Sequence, residues 1–61
     1  MTAKDLKHIR KTLGYSQTKM AEVMGYKNAM TIQKKEYGAR ELTKQDIKFL
    51  KLICLIHDIE A

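Results

Sequence analysis

Residues 16–38 read SQTKMAEVMGYKNAMTIQKKEYG, and the reading of this stretch decides the fold. Ser16 can cap a helix, because its hydroxyl accepts from a first-turn N–H that has no intrahelical partner, and Met20, Ala21 and Met24 recur behind it at helical spacing. Gly25 stands where that helix must stop and reverse, a position that favours a residue tolerant of positive φ. Asn28 can cap a second helix from about Ala29 to Tyr37, with Gly38 as its stop. A small residue followed four positions later by glycine, here Ala21 and Gly25, lets two helices cross closely. Ile32 is the apolar anchor of the second helix. The pattern is that of a helix-turn-helix.

The flanking sequence extends the helical pattern in both directions. Thr2 and Asp5 have capping-box spacing and open a first helix from about Ala3 to Leu13. Its inner face is Leu6, Ile9 and Leu13, Arg10 lies on the edge of that stripe, and Lys4, His8 and Lys11 point away; Gly14 ends it. After Gly38 comes a short loop with Leu42 tucked under the core. Thr43 and Asp46 repeat the capping-box spacing and start a fourth helix from Lys44 to about Asp58. No run alternates with period two, no repeat or linker divides the chain, and there is no proline. The prediction is one all-α domain over residues 1–61, a compact four-helix unit with a helix-turn-helix at its centre.

Composition narrows the partners. The net charge of +5 is uneven: residues 1–44 hold ten Lys/Arg against four Asp/Glu, and residues 45–61 hold two against three. A basic front and an apolar back suit a polyanion on one side and a protein on the other, although basic charge also serves solubility alone. The lone Cys54 excludes an intrachain disulfide and a cysteine metal pair, and it fits the reducing cytoplasm of a bacterial cell. The first residues, MTAKDLKHIRK, lack an apolar signal core, and Lys48, Lys51, His57 and Asp58 interrupt the only long apolar run, so neither export nor a membrane span is expected.

The fourth helix carries more apolar surface than one core requires. Phe49, Leu50, Leu52, Ile53, Cys54, Ile56 and Ile59 cover over half its circumference, leaving an arc of Lys48, Lys51, Leu55 and Asp58 for solvent. A surface helix needs an apolar stripe of roughly 100°. The surplus predicts a partner, most simply a two-fold homodimer through residues 43–59 with Phe49, Leu52, Ile53, Ile56 and Ile59 at the interface. The alternative, that the domain's own core wraps the helix, would need more apolar residues than the rest of the chain supplies.

With those residues in place, the block from Leu6 to Gly38 resembles the Cro/XRE family of helix-turn-helix regulators. The resemblance is carried by Arg10, by Ser16-Gln17 opening the second helix, by Met20-Ala21 within it, by Gly25, by Ile32, and by Glu36-x-Gly38. It covers residues 6–38 well and 39–61 only loosely. It implies a lambda-repressor-like fold, double-stranded DNA as ligand, and repression of the protein's own operon, as in phage autorepressors, anti-CRISPR-associated regulators and antitoxins, with a phage or mobile element as one setting for the gene. It also implies an ion pair between Arg10 and Glu36, and a phosphate contact from Gln17. Two features depart from the family pattern. The turn between Gly25 and Ile32 is one residue longer than the commonest spacing. Lys35 stands where an apolar residue or Trp is usual, so its stem should lie along the surface with its head in water.

The third helix is the expected recognition helix, since a helix fits the major groove and its N-terminal half reaches base edges. Asn28, Ala29, Met30, Thr31, Gln33, Lys34 and Tyr37 are its base-reading candidates. Gln pairs adenine, Lys donates to guanine, and the Met and Thr methyls meet thymine; Asn28 serves equally as cap. Ser16, Gln17, Lys19, Lys27, Arg40 and Lys44 are the phosphate candidates, at element ends around the same face. Each of these also reads as an ordinary solvent-facing residue.

Met20 and Met24 read as core filler, His8 as outward-facing, His57 as a packing residue or a pH-sensitive interface group, and Cys54 as a buried inert thiol. No catalytic set, phosphate loop or metal-ligand spacing occurs, so no enzyme, cofactor or metal is expected. The expected function is a homodimeric repressor on a palindromic operator. The competing reading is an antitoxin-like module whose fourth helix engages a second protein.

Overall fold

The computed structural model describes residues 1–60, and they form four α-helices with no strand among them: α1 Ala3–Thr12, α2 Gln17–Met24, α3 Ala29–Glu36 and α4 Lys44–His57. Every start is a side-chain cap. The Thr2 and Thr43 hydroxyls accept from Asp5 N–H and Asp46 N–H in reciprocal capping boxes, Ser16 accepts from Lys19 N–H, and Asn28 from Met30 N–H. The ends share one device. Tyr26 N–H reaches back to the Ala21 carbonyl at 2.8 Å and Gly25 N–H to Glu22 at 3.1 Å, the paired bonds of a Schellman motif. Gly25 has φ 84°, a left-handed conformation that a Cβ would strain. Leu13, Tyr37 and Asp58, expected as last helical residues, are instead the C-caps of their helices.

Leu6 and Ile9 of α1, Met20 and Ala21 of α2, Ile32 of α3, and Leu50 and Ile53 of α4 are buried together. Leu13, Tyr15, Met24, Tyr26, Leu42, Phe49, Cys54 and Ile59 pack around them half-buried. Full burial of a Leu, Ile or Met side chain is worth roughly 1.5–3 kcal/mol, so the six such positions in this core supply most of the apolar drive of the domain. Two expectations about α4 are corrected here. Ile53 belongs to the domain's own core and is not an outward dimer contact, while Phe49 and Ile59 pack against that core half-buried. The outward apolar surface consists of Leu52, Leu55 and Ile56, exposed by 54%, 80% and 66%. His57 is exposed rather than packed, and Cys54 is half-buried.

Lys35 is the larger correction. Its side chain is buried, and its head does not reach water. The ammonium lies 2.5 Å from Asp46 Oδ2, donates to the Glu41 carbonyl at 3.3 Å, and sits 5.3 Å from the Tyr26 ring centroid. Asp46 is equally buried and also accepts from the Tyr26 hydroxyl and, at 2.9 Å, from Thr43 N–H. One carboxylate thus caps α4, neutralises a cation on α3 and holds the turn after α2. Burial acts against the Asp46 charge, but the bonds from Lys35, Tyr26 and Thr43 outweigh it and hold the carboxyl below its ordinary value. Burial likewise acts against the Lys35 ammonium, and Asp46 outweighs it, raising Lys35; burial and then Asp46 raise the Tyr26 phenol.

The sign of the pH dependence follows. A depressed carboxyl gives stability that is present above its unfolded value of about 4 and is lost as pH falls through the folded one. Raised Lys35 and Tyr26 give stability present below about 10 and lost as pH rises through their folded values. Urea melts across pH 3–11 should therefore show a plateau between about pH 5 and 9 with a falling limb on each side. Tyr26→Phe should make the alkaline limb shallower. An alkaline limb identical to wild type would show that this phenol is not coupled to folding.

Candidate nucleic-acid interface

α3 is seated on the core by Ile32 and Lys35, both inward. Successive residues turn by 100°, so Met30, Lys34 and Tyr37 fall on the opposite side. Met30 and Tyr37 are exposed by 55% and 78%, and Asn28 and Lys34 are exposed as well. Ala29, Thr31 and Gln33, also named as base readers, are half-buried on the flanks. Asn28 directs its amide oxygen to Met30 N–H at 3.1 Å, which leaves the amide NH₂ as its outward donor. Cap and contact are thus compatible in one residue.

Two open grooves run along α3. One, of about 500 Å³, is lined by Asn28, Met30, Thr31, Lys34 and Arg40. The other, of about 320 Å³, is lined by Lys7, Arg10, Lys11, Gln17, Gln33, Glu36 and Tyr37. The exposed stripe of α3 is the ridge between them.

An ion pair sits at the inner wall of the second groove. Arg10 Nε donates to Glu36 Oε2 at 2.7 Å and Nη2 to Oε1 at 3.2 Å, while Nη1 donates to the Tyr15 carbonyl at 2.9 Å. Both side chains are mostly buried, at 12% and 6% exposure. The planar fork therefore ties α1 to the last turn of α3 and to the loop before α2, and fixes the angle at which α3 is presented.

The phosphate candidates fare unequally. Gln17, expected to grip a phosphate with its side chain, turns its amide to Glu36 Oε1 at 3.3 Å instead. The reason is local, since Gln17 and Arg10 share one carboxylate, and it leaves the first-turn N–H groups of α2 as the donors there. Ser16 is engaged as the cap of Lys19 N–H at 3.0 Å. Lys19, whose ammonium lies 6.0 Å from the Tyr15 ring centroid, is exposed, as are Lys27 and Lys44, and these three line neither groove. Arg40 does line one. Lys7 and Lys11 were not among the candidates. Their i, i+4 spacing on α1 was visible, but nothing in the sequence tied it to α3.

No family model, characterised protein or solved structure matches the chain. No helix among the described residues is long and apolar enough to cross a membrane.

Proposed function

We propose that this protein is a Cro/XRE-type, sequence-specific DNA-binding repressor that occupies a palindromic operator as a homodimer. The observation that carries the reading is the ridge of α3, where Asn28, Met30, Lys34 and Tyr37 stand exposed between two grooves that contain cations. An exposed Met beside an exposed Tyr is a poor solvent face and a good groove-reading one. The Asn28 amide and the Lys34 ammonium supply donors for base edges, and the Met30 thioether supplies an apolar contact for a thymine methyl. Two copies joined through Leu52, Leu55 and Ile56 would present two ridges for half-sites about 34 Å apart, one turn of the duplex. Repression follows from occupying a promoter, and autoregulation rests on the family resemblance alone.

The test is selection of duplexes from a random pool, followed by affinity for the winner and a scrambled duplex at two salt concentrations. A palindromic winner bound about 10³-fold or more above the scramble, with steep salt dependence, is the expected result. In that assay Lys34→Ala should cost about 1–3 kcal/mol and relax preference at one base pair of each half-site. Uniform weakening over all sequences would make Lys34 a phosphate contact instead.

The same apolar patch on α4 supports a second reading, an antitoxin-like module that binds another protein there. Salt separates the two, because an apolar protein interface responds weakly to it.

A further inference from the structure

The groove between α1 and α3 has a charge the ion pair does not use. Among the described residues Glu36 is the only carboxylate lining it, and both its oxygens are taken by Arg10 and Gln17. Arg10 in turn gives a third N–H group to the Tyr15 carbonyl. Lys7 and Lys11, four residues apart on one face of α1, line the same groove and are exposed, and their ammonium groups make no ion pair or hydrogen bond among the described residues. Tyr37 closes the groove from α3, 78% exposed, and Gln33 lies beside it. The lining thus contains two unneutralised ammonium groups, a phenolic hydroxyl and an amide, each able to donate to an anion. On the far side of the ridge, Arg40 plays the corresponding part. A major groove is bounded by two phosphate backbones, and a ridge flanked by cations on both sides matches that cross-section.

We infer that Lys7, Lys11 and Tyr37 form a second phosphate seat, holding the strand on the α1 side of the recognition helix. The inference rests on the DNA-binding reading and deepens it. It also reassigns Tyr37: the residue sits at the C-cap of α3, away from the N-terminal half that reaches base edges, and its hydroxyl donates to a backbone oxygen instead of reading a base.

Counterion release gives the magnitude. Each seated lysine steepens the slope of log K against log salt by about 0.9, which is roughly eightfold in affinity at 0.1 M salt and vanishes towards 1 M. The experiment measures this slope for wild type, Lys7→Gln/Lys11→Gln, and a charge-matched control, Lys48→Gln/Lys51→Gln, whose lysines line neither groove. Each is measured on the selected palindrome and on a scrambled duplex, with melts to confirm folding and light scattering to confirm that assembly is unchanged, since Lys48 and Lys51 lie beside the α4 patch. The expected result is a slope shallower by about 3.6 for the four substituted lysines of a dimer, on both duplexes, with the preference for the palindrome kept within about twofold. Tyr37→Phe should likewise weaken both duplexes alike. Equal slopes for the groove variant and the control, with wild type still binding the palindrome, would overturn the seat and leave the DNA-binding reading standing. A wild type that binds no duplex at low salt would overturn both.

Discussion

Asp46→Ala is expected to remove most of the stability of the domain, about 4–6 kcal/mol. Removing this carboxylate strands the Lys35 ammonium, 4% exposed, with the Glu41 carbonyl at 3.3 Å as its remaining partner. An uncompensated buried charge costs about 3–5 kcal/mol, and loss of the capping box on α4 adds about 1. A chain of 61 residues has only roughly 3–9 kcal/mol in total, at 0.05–0.15 per residue. Lys35→Met should be milder but still destabilising: the buried Asp46 carboxylate loses its cation and keeps the Tyr26 hydroxyl and Thr43 N–H as hydrogen-bond donors. The double variant Lys35→Met/Asp46→Ala should be more stable than Asp46→Ala alone, a coupling of about 1–3 kcal/mol. Far-UV circular dichroism with urea melts reads all three. An Asp46→Ala domain within about 1 kcal/mol of wild type would mean that the cluster is incidental to folding.

The contrast between the two roles of Asp46 explains which parts of this fold are legible in the residues alone. Its cap is local: Thr43 lies three positions away, and the spacing states the contact. Its ion pair is not. Lys35 is 11 residues distant and Tyr26 is 20, and no pattern in either segment points to the other. Helix starts at Thr2, Ser16, Asn28 and Thr43 were readable for the first reason, as were the glycine ends. A lysine at an apolar position looked like a weakness for the second. Once the chain folds, it becomes a cross-link between α3 and α4.

The same division runs through the candidate interface. Ile32 as anchor orients α3 by helical geometry, so its exposed ridge was readable, whereas the width of that ridge was overstated at Ala29, Thr31 and Gln33, which flank it half-buried. Lys7 and Lys11 escaped because the groove they line is made only when α1 packs against α3. On α4, Ile53 and Ile56 are both β-branched and only three positions apart. Their opposite fates, one in the core and one in solvent, depend on how few residues the other helices bring to the centre.

That distinction sets up the second large effect. Ile56→Lys is expected to leave folding intact and to lower operator affinity by on the order of 10³-fold, because two linked half-sites act at an effective concentration near millimolar that a monomer forgoes. The side chain is 66% exposed, so its loss opens no cavity, and the urea midpoint should stay close to wild type. Leu52→Lys should behave in the same way, at 54% exposure, whereas Ile53→Lys should unfold the domain, since that position is core. Light scattering gives the assembly state, and titration of the full palindrome against a single half-site gives the coupling. The half-site constant of Ile56→Lys should match wild type, because the ridge of α3 is untouched. A folded, monomeric Ile56→Lys that binds the palindrome as tightly as wild type would rule out two-fold cooperation through α4. A wild type that is itself monomeric at micromolar concentration and on DNA would assign the patch of Leu52, Leu55 and Ile56 to a different protein.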